Sequence, residues 1–262
     1  MSPKKPVALT IAGSDASGGA GVQADLKTFH QFGVYGEAVI TLIAVQNTLG
    51  VQRVECLSAA LVADQIRAAI SDIPPAAAKC GALGNRAIIE AVSGLARDFS
   101  FPLVVDPVMA SKNGAALLES DAMETLKTFL LPNVFLLTPN LAEASMLTSL
   151  EIHDVAGMRE AARKLTGMGP QAVLVKGGHL AGDAIDILFQ GGEWTEFPAA
   201  RIVTGHTHGT GCTFSAAITA GLASGCDLRA AITRAKRYIT EAIGNNPGLG
   251  SGTGPLDHHT LF

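Results

Sequence analysis

Short, wholly apolar runs alternate with longer amphipathic segments along most of the chain. The runs are apolar at consecutive positions rather than at every second one, which is typical of strands buried on both faces of a parallel sheet. The longer segments place apolar residues at helical spacing. The alternation predicts an α/β fold in one domain over residues 1–262, with helices on both faces of the sheet and ligands beyond the carboxyl ends of the strands.

The predicted strands cover residues 7–11, 39–45, 76–80, 103–106, 134–138 and 172–176. The predicted helices cover residues 21–32, 62–73, 86–97, 121–131, 154–167, 211–224 and 228–243. A weaker pair of segments, 184–189 and 193–197, flanks Gly191 and Gly192. These two segments predict a late antiparallel hairpin in a mostly parallel central sheet.

Composition and charge favour a cytoplasmic protein that binds small molecules. The 262 residues carry a net charge of −4 without a basic cluster, which argues against a nucleic-acid partner. The first apolar run ends at Gly13 and is too short for a signal peptide or a membrane span, so we expect neither a targeting segment nor a membrane partner. The four cysteines lack the spacing of zinc sites or disulfide frameworks, which indicates a reducing compartment.

The segment from His208 to Thr213 predicts an anion site. Gly209 and Gly211 let the backbone turn so that successive amides converge, and a helix that begins there adds its positive end. Cys212 follows at the mouth of this helix, where a thiol loses its proton most easily, so it is a candidate base or nucleophile. The alternative is an ordinary turn between two elements, with Cys212 as a small core residue.

A second glycine-rich loop, residues 13–21, follows the first predicted strand. It lacks the Gly-Lys-Ser/Thr ending of a P-loop and the spacing of a dinucleotide fingerprint, but its glycines let the backbone approach a ligand. Asp25 lies one turn into the next predicted helix. It is either a surface carboxylate or an acceptor of hydrogen bonds from a ligand amine.

Polar residues follow three further predicted strands. Asp106 ends an apolar strand, where a carboxylate is costly unless it is paired or hydrated. Asn140 and Glu143 fit a helix capping box, and with Asp106 they also supply the oxygen ligands that hydrated Mg²⁺ prefers. Lys176 ends the next strand and is either a point charge that neutralises a phosphate or a solvated loop residue.

Seven segments together resemble one family. They are GSD (13–15), GGAGVQADLKT (18–28), VQNT (45–48), DPVM (106–109), TPNL (138–141), KGGH (176–179) and HGTGCT (208–213). In order and over nearly the whole chain, they are similar to the hydroxymethylpyrimidine/phosphomethylpyrimidine kinases of thiamine biosynthesis, which have the ribokinase-like fold. The resemblance implies that the protein uses ATP and Mg²⁺ to phosphorylate an aminopyrimidine alcohol and then its monophosphate, and that it is a homodimer.

The resemblance also implies roles for individual residues. On the acceptor side, Asp25 and Gln46 would hydrogen-bond the aminopyrimidine, and Ala20 and Val108 would line its pocket. On the nucleotide side, the amides of Gly209, Thr210, Gly211 and Cys212 would form the anion hole. Lys176, Lys236 and Thr210 would lie near the nucleotide. Asn140 and Glu143 would hold the hydrated metal.

Two details concern the acceptor. The family pattern Lys-x-Gly-Met-Leu would place a methionine where this chain has Ala82, which leaves more room beside the ring and keeps pyridoxal as an alternative substrate. Gln46 favours the pyrimidine, because an amide both donates and accepts against an aminopyrimidine edge. Cys212 would take the proton of the alcohol in the first transfer, and a strong base is unnecessary in the second.

Two other classes of function stay open from the residues alone. A thiol-dependent hydrolase would use Cys212 as the nucleophile and His208 as its base. A nucleotide-binding regulator would bind ATP without transferring its phosphoryl group. The hydrolase leaves Lys176, Glu143 and the first glycine loop without a role.

Overall fold

The computed structural model describes residues 5–110, 114, 117–119, 121–178, 180 and 182–262. The strands are β1 (Val7–Asp15), β2 (Tyr35–Asn47), β3 (Gly50–Cys56), β4 (Ala77–Cys80), β5 (Leu103–Val105), β6 (Leu136–Leu137), β7 (Ala172–Val175), β8 (Asp186–Gln190) and β9 (Glu193–Phe197). They form one sheet in the order β3-β2-β1-β4-β5-β6-β7-β8-β9. Pairing is parallel from β2 through β1, β4, β5 and β6 to β7.

The described helices are α1 (Gly21–Gln31), α2 (Ala59–Asp72), α3 (Arg86–Ala96), α4 (Ala122–Thr125), α5 (Leu141–Thr148), α6 (Val155–Thr166), α7 (Thr210–Ala223) and α8 (Leu228–Gly244). Several begin at a side chain that accepts a hydrogen bond from an amide of the first turn, as Asn85 does for Ile88 and Asp227 does for Ala230. Such caps satisfy amides that have no partner inside the helix.

Helices cover both faces of the sheet, as predicted. Residues of α2, α3, α5 and α6 share one apolar core, and residues of α1, α7 and α8 share another. Along β1, Leu9 belongs to the first core and Ala8 to the second, since successive side chains of a strand point to opposite faces. Burial of each large apolar side chain contributes about 1.5–3 kcal/mol before the entropy of ordering is subtracted.

The predicted late hairpin is confirmed, because β7, β8 and β9 pair antiparallel. A second antiparallel pair, β2 with β3, was not predicted. β3 was missed because it is an edge strand with polar residues exposed on one side, and the wholly apolar pattern of a buried strand does not describe it.

Two predicted elements are much shorter than expected. The strand expected over residues 134–138 is reduced to β6. The helix expected over residues 121–131 is only the short α4, followed by a π-helical turn at Leu126–Leu130 and a 3₁₀ turn at Leu131–Asn133. Pro132 lies in the first turn of the 3₁₀ segment, where the missing amide hydrogen of a proline costs no hydrogen bond.

The carboxyl-terminal loop is tied to the body of the protein. The amide of Thr253 donates to the carbonyl of Thr48, and the amide of His208 donates to the carbonyl of Gly254. His258 is buried, with Nε2 3.1 Å from the hydroxyl of Thr213 on α7. Burial lowers the pKa of His258 to about 4, so this side chain is neutral at physiological pH.

No helix in the described part of the chain combines the length and the apolar character that crossing a membrane requires.

Candidate active site

The carboxyl ends of the parallel strands meet at one edge of the sheet. Strand order reverses between β1 and β4, because β2 lies on one side of β1 and β4 with β5 on the other. In open α/β sheets, ligands bind in the crevice at such a reversal. α7 begins above this edge, between the residues that follow β1 and those that follow β5.

The first turn of α7 leaves amides free at this edge. Gly209 is the N-cap residue and has a φ of +80°, a conformation that glycine adopts without strain. The hydroxyl of Thr210 donates to the carbonyl of Thr207 at 2.8 Å and holds the turn closed. Within the described residues, the amides of Gly211 and Cys212 have no acceptor. Two unpaired amides at the start of a helix are the arrangement that binds anions in proteins, and the anion site stays a prediction.

The two glycine-rich loops pack directly against each other. A Cβ atom on Gly209 would lie 1.8 Å from the carbonyl oxygen of Gly19, and a Cβ atom on Gly19 would lie 2.6 Å from Cδ2 of His208. A side chain at either glycine would push the loops apart. This close approach explains why both segments need glycine.

Lys176 lies beside the free amides. Its Nζ atom is 2.6 Å from Oδ1 of Asp106, and a Cβ atom on Gly211 would lie 3.3 Å from both Lys176 Nζ and Asp106 Oδ2. Burial would lower the pKa of Lys176, but the carboxylates of Asp106 and Glu143 raise it above its ordinary value. The lysine is therefore charged and adds positive charge where the amides converge.

Asn140 and Glu143 form the capping box that the sequence predicts. The side chain of Asn140 accepts from the amide of Glu143 at 2.9 Å, and the Glu143 carboxylate accepts from the amide of Asn140 at 2.8 Å. Burial and the charge of Asp106 raise the pKa of Glu143 to about 7, although Lys176 opposes the shift. A nearby cation would favour the ionised form of this carboxylate.

The residues at this corner fit a hydrated magnesium ion. Asp106, Asn140 and Glu143 supply hard oxygen donors, but the capping box already uses one oxygen of Asn140 and one of Glu143. The described residues contain no group of three acidic, histidine or cysteine side chains that could enclose a metal. The donor set therefore suits an ion that keeps most of its water.

Asp25 does not reach an open pocket. It is fully buried, with Oδ1 2.6 Å from Nζ of Lys79 and Oδ2 2.6 Å from the hydroxyl of Thr10. Burial would lower the pKa of Lys79, but the carboxylates of Asp25 and Asp106 raise it. The expected direct contact between Asp25 and a ligand amine is therefore not what the structure shows, because its carboxylate neutralises a buried lysine.

Cys212 is not a ready thiolate. It occupies the third position of α7, as predicted, but burial raises the pKa of its thiol to about 11. Lys79 lowers the pKa, and the carboxylates of Asp25 and Asp106 raise it. Desolvation therefore opposes the effect of the helix terminus, which was expected to favour the thiolate of Cys212, although the residue as a whole is half-buried.

The candidate acceptor residues lie around the same edge. Ala20 precedes α1, and its amide donates to Oδ2 of Asp15 at 2.8 Å. Gln46 lies near the end of β2. Val108 and Ala82 follow β5 and β4 and are half-buried, and the carbonyl of Ala82 accepts from the hydroxyl of Thr41 at 2.6 Å.

Lys236 braces the segment after β7. Its Nζ atom is 2.6 Å from Asp186, whose carboxylate also accepts from the amide of Gly177, next to Lys176. It also lines an open cavity of about 650 Å³ together with Pro198 and Thr240. His179, in the same sequence motif as Lys176, lies outside the described residues.

The phosphomethylpyrimidine kinase family model matches residues 15–257. The chain belongs to this family. It is therefore a kinase, that is, a phosphotransferase, and the interpretations as a hydrolase or as a regulator without catalysis are wrong. The geometry agrees, because Nε2 of His208 is directed to Asp15 at 2.8 Å rather than serving as a base for Cys212.

Relatives of this kinase include proteins that carry the family name and a longer bifunctional protein. The chain is 46% identical over 260 residues to the hydroxymethylpyrimidine/phosphomethylpyrimidine kinase of Synechococcus elongatus, with 98% of this chain and 99% of that protein covered. It is 49% identical over 252 residues to the thiamine biosynthesis bifunctional protein ThiED of Geobacter sulfurreducens, with 95% of this chain covered. The match covers 51% of ThiED, so the chain spans about half of that relative.

A solved kinase structure confirms the fold. The ADP complex of Bacillus subtilis pyridoxal kinase matches with a TM-score of 0.89 at 37% identity, over 97% of this chain and 98% of that one. The predicted ribokinase-like α/β fold is therefore correct, and the family supports the use of ATP.

Sequence reasoning assigned no role in this kinase site to Lys79 or Asp15. Lys79 neutralises Asp25, and Asp15 joins His208 to the first glycine loop. A signal for Lys79 was present, because a lysine in the otherwise apolar β4 requires a buried partner. Nothing in the spacing linked Asp15 to His208, which lie 193 positions apart.

The Lys79–Asp25 pair predicts a large difference between single and double substitutions. Lys79→Met leaves a buried carboxylate without a cation and is expected to lower the free energy of unfolding by about 3–5 kcal/mol. Adding Asp25→Asn removes the unpaired charge, so the double variant should recover most of that loss. Urea unfolding of the three proteins measures both quantities.

Arg67→Met is the matched control, because the Arg67–Asp64 ion pair is exposed and screened by water. Its free energy of unfolding should change little. Equal losses for Lys79→Met and Arg67→Met, or no recovery in the double variant, would contradict the assignment of a stabilising buried pair.

Proposed function

We propose that this kinase transfers the γ-phosphoryl group of ATP to 4-amino-5-hydroxymethyl-2-methylpyrimidine and then to the resulting monophosphate, in thiamine biosynthesis. The observation that carries the proposal is the pair of free amides at Gly211 and Cys212 beside the charged Lys176. Phosphoryl transfer depends mainly on positioning and on charge stabilisation, and this arrangement supplies both. The identity of the phosphoryl acceptor is taken from the names of the relatives.

The acceptor binds, in this proposal, between the ends of β2 and β5. The amide of Gln46 pairs with the aminopyrimidine edge, and Ala20, Val108 and Ala82 line the pocket. Asp25 does not touch the ring in this proposal. Its carboxylate holds the charged Lys79 in place beneath the site. This assignment keeps the acceptor hydroxyl near the first turn of α7.

The nucleotide binds, in this proposal, with its transferring phosphate at the free amides of Gly211 and Cys212, beside Gly209 and Thr210, whose own amide donates to the carbonyl of Thr207. Lys176 neutralises phosphate charge, and Lys236 lies in the cavity beside Pro198, on the side where the rest of the nucleotide extends. Asp106, Asn140 and Glu143 would hold a hydrated Mg²⁺, which supplies charge neutralisation on the phosphates when it is bound.

Cys212 takes the proton of the alcohol in the first transfer. A pKa of about 11 means that the thiolate is rare near neutral pH, so ionisation adds to the barrier of this step. The second acceptor is already a phosphate anion and needs no base. The two transfers should therefore depend differently on Cys212.

The direct test is product analysis. Purified protein with Mg-ATP and the aminopyrimidine alcohol should yield the monophosphate and then the diphosphate, separated by anion-exchange chromatography. Pyridoxal is the second acceptor to assay, because Ala82 leaves room beside the ring. Product from pyridoxal alone would overturn the proposed substrate, and ATP binding without any product would overturn the proposed reaction.

The role of Cys212 predicts a difference in pH dependence between the two transfers. Because the thiol must lose its proton and its pKa lies above the assay range, the rate of the first transfer should rise between pH 6 and pH 9. The second transfer should lack this rise. Cys212→Ala should slow the first transfer about 10²–10⁴-fold and remove its pH dependence.

Cys226→Ala is the control, since Cys226 is half-buried after the opposite end of α7. It should leave both transfers unchanged. A first transfer that is independent of pH in the wild type, or equally slowed first and second transfers in Cys212→Ala, would show that Cys212 is not the base.

We also propose that the protein is a cytoplasmic homodimer. Ile43, Val45 and Leu49 leave apolar surface exposed on the β2–β3 hairpin, with 37%, 40% and 68% of their area accessible. A second copy that covers this hairpin would remove that surface from water. The four cysteines are free, in keeping with a reducing compartment.

Light scattering tests the dimer. The molar mass should be about twice 26.9 kDa, and Ile43→Glu should shift it toward the monomer. Met146→Glu places the same charge on exposed apolar surface of α5 and should not change the mass. A monomeric wild type, or a mass unaffected by Ile43→Glu, would contradict this interface.

A further inference from the structure

A buried pair joins the two glycine-rich loops of the site. Asp15 ends β1, and His208 immediately precedes the N-cap of α7. Their atoms Oδ2 and Nε2 lie 2.8 Å apart, and the side chains are 3% and 11% exposed. The reaction described above uses neither side chain.

Asp15 collects four hydrogen bonds. It accepts from the amide and hydroxyl of Ser17, from the amide of Ala20 and from His208. An ionised carboxylate can only accept, so Nε2 of His208 carries the proton. These hydrogen bonds outweigh the effect of burial and hold the pKa of Asp15 well below its usual range.

The partners of Asp15 belong to opposite sides of the reaction. Ala20 lines the proposed acceptor pocket, and its amide is fixed by Oδ2 of Asp15. His208 is continuous with Gly209, where the anion turn begins, and it is fixed by the same oxygen. One carboxylate oxygen therefore holds a residue of the acceptor side and a residue of the phosphate side.

The other contacts between the loops are weaker, because Oγ of Ser17 lies 3.4 Å from Nε2 of His208 and the rest is close packing of glycine backbone. Gly19 and Gly209 are packed too closely for a Cβ atom at either position. Packing of this kind limits how near the loops come but does not determine the direction of a peptide plane. The His208–Asp15 hydrogen bond supplies that direction, because it is short, charged and shielded from water.

We propose that Asp15 and His208 are positioning residues, which set the anion turn relative to the acceptor pocket through the hydrogen bond from Nε2 to Oδ2. They act through the amides of Gly209 to Cys212 and contact no reacting atom. Small displacements of preorganised donors reduce the rate strongly while ground-state binding changes little. The effect should therefore appear in kcat and not in KM.

The test compares two replacements of His208. His208→Leu replaces the donor with an apolar side chain of similar bulk. It should lower kcat about 10–100-fold and leave KM for ATP within about twofold of the wild-type value. His208→Gln keeps an N–H donor and should retain most of kcat. Asp15→Asn weakens the same hydrogen bond and also those from Ser17 and Ala20, so its kcat should fall at least as far as that of His208→Leu.

His153→Leu is the matched control, since His153 is exposed and pairs only with Glu151 in the described part of the chain. Its kcat should equal that of the wild type. Equal losses in His208→Leu and His208→Gln, a smaller loss in Asp15→Asn than in His208→Leu, or a change confined to KM would overturn the proposal. If His208→Leu does not fold, His208→Asn replaces it, because the shorter side chain of asparagine leaves its N–H donor out of reach of Oδ2 of Asp15.

The inference rests on the proposed function for its kinetic readout, so a second measurement separates the two. The amide resonances of Gly209 and Gly211 in ¹⁵N-labelled protein report the turn without any substrate. They should shift in His208→Leu and stay close to wild type in His208→Gln. Unshifted resonances in His208→Leu would overturn the positioning role, whereas a wild type without the expected product overturns only the proposed substrate.

Discussion

The site depends on the pairing of charges at the ends of apolar strands. A carboxylate or an ammonium group at these positions is expensive to bury unless an opposite charge lies against it. Lys79 therefore requires Asp25, and Asp106 requires Lys176, at 2.6 Å in both cases. Each lysine charge is balanced by its carboxylate, so the free amides at the start of α7 supply the positive potential that a phosphate would meet there.

This pairing also explains why Cys212 is held as a thiol. The helix terminus and Lys79 favour the thiolate, while burial, Asp25 and Asp106 favour the thiol, and the second group of influences is larger. A site that binds phosphate needs a positive electrostatic potential. Because a carboxylate lies beside each lysine, the two lysines raise the potential at the sulfur of Cys212 only a little. The proposed first transfer therefore starts from a neutral cysteine.

Much of this arrangement could be predicted from the sequence. The strand ends, the anion turn and the capping box of Asn140 and Glu143 are local, because each is encoded within a few consecutive residues. The family resemblance supplied roles for Lys176 and Gln46. What the sequence could not give were contacts between distant segments, such as Lys79 with Asp25 and Asp15 with His208, since only the fold brings these segments together.

Burial was the other property that the sequence could not give. The residues alone left Asp25 as either a surface carboxylate or a ligand acceptor, and the family resemblance implied the ligand contact, yet the side chain is buried with Thr10 and Lys79 as partners. Cys212 was interpreted as a ready thiolate from its place in the helix, which ignores desolvation. Both residues lie in the helices where the sequence predicts them, but burial changes the protonation and the partners of their side chains. The solvent exposure of a residue near a helix start must therefore be known before a role is assigned to it.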